Sequence, residues 1–429
     1  MKYCSKLPLI FKIIFSLIIA FVGQAEFINA FGEKSNNAQI KILSQEHDIQ
    51  FPNKLIFRVE GYTKENIQQT TLRYQISSSG IKSYLYSEFV VNPVDGKFSS
   101  SAELGTSGSN YIPSGVQIKY FFDIATSDGS TYTTESKDFT YLNPKYNWMS
   151  LESDYLTIYW HDIPVENVKM SVEKTKLILR DVSEITGLRT IDPFRAVVIN
   201  NPREAIETFP NISQTATRDH LYGGFAFKDY DLFIIGGIGV NGLVHEGTHI
   251  LVAQAIDSPL ANIPAWLNEG LAMFFESSNS GRQNTLNRAI NKGQLRPLKT
   301  MTTVPGKPED VRIFYAQSQD ATKYIIEKYG MEKMSSLLKE LNQGTNIDEA
   351  VTKIYGFDLT ELQKEWENNL LPTFERKLIV DPGTFWTSSL LGGVFVFALI
   401  SLLVGWIKKK INPQVEDAAE ENDDEIYWY

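Results

Sequence analysis

The residues with the clearest chemical potential are His245-Glu246-Gly247-Thr248-His249. On a helix, positions i and i+4 share a face, one turn apart. Two imidazoles so placed can grip one metal ion. The glutamate at i+1 projects to the adjoining side, where it can reach a water held on that ion. With only five histidines in 429 residues, this spacing is rare by chance. Leu243, Val244, Ile250, Leu251 and Val252 flank the motif and predict a buried helix, with Asn241-Gly242 near its start. Gly247 costs such a helix about 1 kcal/mol relative to alanine. A close neighbouring backbone would account for it.

A catalytic zinc takes three protein ligands and leaves a fourth position open. Twenty residues after His249 comes Pro264-Ala-Trp-Leu-Asn-Glu269-Gly-Leu-Ala272. Pro264 suits the first turn of a helix. Trp266, Leu267, Leu271, Phe274 and Phe275 follow at helical spacing, with one carboxylate, Glu269, among them. A carboxylate is rarely buried without a partner, and a metal would be one. The plainer alternative is an exposed glutamate on an amphipathic helix.

This pair of motifs resembles the gluzincin branch of the zinc metallopeptidases, in the peptidase MA group. The resemblance covers roughly residues 150–370 and is strongest over 241–275. It implies that His245, His249 and Glu269 hold Zn2+ and that Glu246 is the general base. It also implies a Tyr or His donor for the oxyanion from the helices downstream; Tyr315 is the candidate, with His220 weaker. In thermolysin-like members an aspartate four residues past the ligand glutamate orients one histidine. Met273 occupies that position here, so the contact is either missing or supplied from elsewhere. Gly223–Ala226 and Leu232–Ile235 read as a hairpin whose edge strand could pair with an extended peptide.

Around this centre the sequence divides into segments. Residues 1–30 have the order of a signal peptide: Lys2, Lys6 and Lys12, an apolar stretch over 13–22, then small residues. An uncleaved anchor is the alternative. Residues 38–145 alternate apolar and polar with period two between turn signals. That pattern predicts an all-β sandwich of immunoglobulin or fibronectin type, a spacer or binding module by default. Over 150–372 an α+β domain of zincin-like metallopeptidase type is expected, opening with a strand at Leu156–Trp160 and a helix from Val165 that stops at Gly187. Residues 385–407 carry no charge, hold Trp386 and Trp406 near their two ends, and precede Lys408-Lys409-Lys410. They predict one C-terminal transmembrane helix with its lysine end in the cytoplasm. The acidic tail 408–429 would then be cytoplasmic, and the N-terminal domains would face outward from the cell membrane.

Composition narrows the field. A net charge of −10 and a pI near 5.2 argue against nucleic acid as a partner. The single cysteine, Cys4, rules out a disulfide framework or a cysteine metal cluster. The expected activity is zinc-dependent hydrolysis of peptide bonds, with peptide or protein substrates. The competing expectation is a surface binding or adhesion protein whose peptidase-like domain is inactive.

Overall fold

The computed structural model describes residues 40–77, 82–210, 223–276 and 280–378. The expected signal peptide, the 385–407 span, the acidic tail and His220 lie outside them. Among the described residues no helix is long and apolar enough to cross a membrane. The chain divides into two units, 1–359 and 360–429.

Eight strands build the N-terminal domain: β1 (Ile40–Gln50), β2 (Lys54–Thr63), β3 (Ile67–Ile76), β4 (Lys82–Val91), β5 (Lys97–Gly105), β6 (Gln117–Thr126), β7 (Thr131–Thr133) and β8 (Lys137–Thr140). The period-two pattern explains them. Leu55, Phe57 and Val59 on β2, and Ile118, Tyr120, Phe122 and Ile124 on β6, are fully buried, while Arg58, Gln117 and Lys119 beside them are exposed. The order β1-β2-β5-β4-β3-β6-β7, with β8 also on β6, corrects the expectation of two separate sheets. Strand β4 pairs with β3 through Lys82–Ser87 and with β5 through Glu88–Val91, so it turns the corner and joins both halves into one sheet.

A second, five-stranded sheet follows, ordered β12-β13-β11-β10-β9. Its members are β9 (Met149–Ser153), β10 (Leu156–Trp160), β11 (Phe194–Ile199), β12 (Gly224–Phe227) and β13 (Leu232–Gly236). Strands β10, β11 and β13 are parallel; β9 and β12 are antiparallel edges. Helix α1 (Val165–Thr186) links β10 to β11 and stops where Gly187 adopts a left-handed conformation, φ 76°. A short α2 (Pro202–Thr208) is capped by the Asn201 side chain.

The interior strands are apolar throughout because both faces of the sheet are covered. On β11 and β13, Ala196, Val198, Phe233 and Ile235 pack with Val168, Val172 and Leu179 of α1. Their neighbours Val197, Ile199, Leu232 and Ile234 point the other way, into the same core as Ile112, Val116, Ile118 and Tyr141 of the β domain. Gly115, at φ 98°, permits this approach, since a Cβ there would strike Val197. The Tyr111 hydroxyl donates to the Thr208 carbonyl at 2.7 Å. The β domain is therefore the back wall of the second sheet rather than a detached spacer.

Helices complete the unit: α3 (Val240–Ala255), α4 (Ala265–Phe274), α5 (Ser280–Asn291), α6 (Pro308–Tyr329), α7 (Met331–Asn342) and α8 (Ile347–Tyr355), with α9 (Leu359–Leu378) leading into the second unit. Helix α3 buries its apolar side on the sheet through Leu243, Ile250 and Leu251. A Cβ on Gly247 would come within 3.1 Å of the Leu179 side chain on α1. The near neighbour is thus a side chain, where a backbone was expected. At Gly270 on α4 the crowding is tighter: an added Cβ would collide with Thr322 Oγ1 and lie 2.5 Å from the Ser318 carbonyl oxygen, both on α6.

Candidate metal centre and cleft

His245 and His249 lie on α3, with rings 4.9 Å apart at 84°. Glu269 comes from α4, whose first residue follows Pro264; the proline itself is the N-cap, one position earlier than expected. These three are the group among the described residues able to hold a metal ion. The two Nε2 atoms are 3.3 Å apart, and each lies 3.5 Å from Glu269 Oε2. Ligand atoms about 2.0–2.1 Å from a tetrahedral ion must lie about 3.3–3.4 Å from one another. The triangle therefore has the dimensions such an ion requires. Glu269 Oε2 is buried and is faced by the two imidazole nitrogens only at a long 3.5 Å, a costly arrangement unless a cation sits between them.

Electrostatics point the same way. Burial alone would lower the His245 pKa. Hydrogen bonds to Glu269 and Glu276 and the charges of Glu246 and Glu269 together outweigh it, and push it up to about 10. His249 also rises despite its burial, chiefly through the charge of Glu269. Burial raises the Glu269 carboxyl, but the two imidazoles more than reverse this and hold it well below the usual carboxylate range. The buried Glu269 carboxylate thus favours positive charge at this point, which a bound dication would supply.

Glu246 is 6% exposed and has no hydrogen-bond partner among the described residues. Burial raises its pKa, which the neighbouring histidines only partly offset. It lies against the edge strand. A Cβ on Gly224 would sit 2.8 Å from Glu246 Oε1 and 2.7 Å from the Ile234 carbonyl oxygen. Only glycine lets the carboxylate and β12 approach this closely.

Sequence reasoning did not find the contact that orients His245. Its Nδ1 lies 2.7 Å from Glu276 Oε1, and Glu276 Oε2 accepts from Arg282 on α5. Arg282 Nε donates in turn to Gln319 Oε1 on α6 at 2.7 Å, and Gln319 Nε2 donates to the Met273 carbonyl at 2.9 Å. The contact sought at Met273 is thus made three residues later. No local signal marked it, because Glu276 lies just past the end of α4, beyond the Phe275 cap.

The hairpin is present as expected. Strand β12 meets β13 through a short turn at Lys228–Tyr230, with Asp231 left-handed at φ 46°. A cavity of about 850 Å³ is lined by Gly224–Ala226, His245, Glu246, His249, Glu269 and Tyr315. A second, of about 410 Å³, is lined by Gly224, His245, Glu246, Glu276, Arg282 and Tyr315. Gly224, His245, Glu246 and Tyr315 belong to both, so the metal group stands where two arms of one cleft meet. Tyr315, half-buried on α6, is brought to that point as the sequence suggested. His161 is not part of it; it is buried between the Tyr146 ring and Glu204.

The Peptidase MA superfamily model matches residues 177–372, the segment that holds every residue of this centre. That match, over a little less than half of the chain, and the ligand geometry support a zincin-like, peptidase-type domain. No curated protein matches the chain. Among solved structures, an M1 zinc metallopeptidase from Deinococcus radiodurans is 11% identical, covers 77% of this chain and 94% of its own, and has a TM-score of 0.35. A carbohydrate-binding module of family 56, a β-1,3-glucan binding domain, is 17% identical, covers 24% of this chain and 99% of its own, and has a TM-score of 0.16. Likenesses this distant carry no argument.

Proposed function

We propose that the protein is a zinc-dependent peptidase whose active centre is His245, His249 and Glu269 with Glu246 as general base. The observation that carries this reading is the triangle of ligand atoms, 3.3–3.5 Å on a side, with the buried Glu246 beside it at the meeting of the two cavities. Bound zinc supplies Lewis acidity: it polarises the scissile carbonyl and lowers the pKa of the attacking water toward neutrality.

The protein's own residues do the rest. Glu246 accepts the proton of the attacking water as the new C–O bond forms. It passes that proton to the amine nitrogen as the C–N bond breaks. Its raised pKa suits it to hold a proton between these two moments. Tyr315 donates its hydroxyl proton toward the carbonyl oxygen as that atom gains charge. Glu276 fixes the His245 ring so that Nε2 faces the centre. Substrate lies along β12. The pairing of Gly236 N–H with the Gly223 carbonyl makes Phe225 and Phe227 the residues bonded to β13, so Gly224 and Ala226 turn their backbone groups to the open edge.

The proposal includes placement: export directed by residues 1–30 and a single span at 385–407, with the catalytic unit outside the cytoplasm. It is tested by Glu246→Gln in the full chain. The variant should bind about one zinc per chain, as wild type does, and hydrolyse no peptide. Wild-type protein that binds no zinc would refute the reading. For placement, protease added to intact cells should digest the catalytic unit and spare a tag at the C-terminus.

A further inference from the structure

We infer that the cleft is charged along its length and selects peptides of matching polarity: positive charge before the scissile bond, negative charge after it. This rests on the peptidase reading and specifies its substrate class. Two independent observations give the same direction.

The first is charge. The larger arm is lined by Asp192, Asp229, Asp231 and Asp257, against one basic residue, Lys228. Asp192, Asp229 and Asp257 are exposed. In the smaller arm Glu276 is already engaged by His245 and Arg282. That leaves Arg312, an exposed guanidinium whose Nε reaches the Pro308 carbonyl at a long 3.5 Å, to set the sign of that arm. A cleft walled by one sign concentrates ligands of the other. One arm therefore attracts lysine, arginine or a free ammonium. The other attracts aspartate, glutamate or a free carboxylate.

The second is strand direction. β12 starts at Gly224, where the arms meet, and runs through Ala226 into the acidic arm. Antiparallel pairing is the stabler ladder. A peptide added antiparallel to β12 must then place its N-terminal half in the acidic arm and its C-terminal half past Gly224, toward Arg312. Backbone direction and charge thus agree. The unpartnered, buried Glu246 faces both arms at their junction, which sets the bond to be cut between them.

The test uses two quenched fluorescent peptides of identical composition with the same apolar centre. One carries two lysines before that centre and two glutamates after it; in the other the charges are exchanged. Full-length wild-type protein should cut the first with a kcat/KM about tenfold or more higher. The ratio should shrink in about 1 M salt, where the screening length is about 3 Å. Arg312→Glu should reduce or reverse the ratio, as should Asp229→Lys. Equal rates, or a preference for the exchanged peptide, would overturn the inference while leaving peptidase activity intact. Binding of both peptides to Glu246→Gln protein, followed by fluorescence anisotropy, separates the two claims. If wild type cuts neither peptide the peptidase reading falls, and the order of affinities alone decides the polarity.

Discussion

His245 Nδ1 and Glu276 Oε1 lie 2.7 Å apart, although the residues are separated by the whole of α4 and the turn before it. The contact fixes which nitrogen of His245 is free to meet a metal, and it is itself fixed by Arg282 and Gln319. Replacing Glu276 by alanine should weaken zinc affinity by about 10–100-fold. Glu276→Gln should recover much of the loss, because the amide oxygen can still accept from Nδ1. Competition with a chromogenic chelator measures both.

Zinc binding should release protons. In the metal-free protein the carboxylates raise both His245, to about 10, and His249. Ligand imidazoles must be neutral. Below about pH 10 the metal therefore displaces protons, and affinity should climb as pH rises through neutrality. Isothermal titration in buffers of differing ionisation enthalpy counts the protons. A pH-independent affinity would contradict the charge balance described above.

Tyr315→Phe removes one hydroxyl at the junction of the two cavities. If that hydroxyl stabilises the oxyanion, kcat should fall about 10²–10³-fold with zinc content unchanged. An unchanged kcat would remove Tyr315 from the mechanism.

Gly270→Ala should destabilise the unit by about 1–3 kcal/mol or more, since the methyl meets Thr322 and the Ser318 carbonyl. Adding Thr322→Ala should restore part of this, but not all, because the carbonyl stays in place. Urea unfolding midpoints of the two variants make the comparison.

Residues 150–378 expressed alone should aggregate. Val197, Ile199, Leu232 and Ile234 would lose their cover from the β domain. Supplying the β domain on the same chain should restore a monomeric, zinc-binding protein, read by gel filtration and metal analysis.

The sequence showed the parts of this site that depend on spacing within a single element. His245 and His249 are one helical turn apart, and Glu269 stands alone in an apolar helix, so each was visible locally. Leu156–Trp160 and the helix beginning at Val165 were legible for the same reason, being strictly periodic. The relationships between elements were not legible. Gly224 reads as an ordinary hairpin glycine until Glu246 is seen against it. Glu276 reads as a surface residue past a helix end until His245 is placed beside it. The alternation on β11 carries no mark of which apolar layer meets which partner, so the β domain reads as independent. The corner made by β4 was hidden likewise, because one strand serving two neighbours has the same periodicity as a strand serving one.

The shared core behind the second sheet sets an order of events during synthesis. The β domain leaves the ribosome first, presenting Ile112, Val116 and Tyr141 on a face made to be covered. Leu232 and Ile234, which cover it, lie about ninety residues beyond Tyr141 and emerge several seconds later at about 5–20 residues per second. For that interval the nascent chain is a half-built sandwich with one sticky wall. Its yield will depend on how well the cell shields that wall until the strands that complete it arrive.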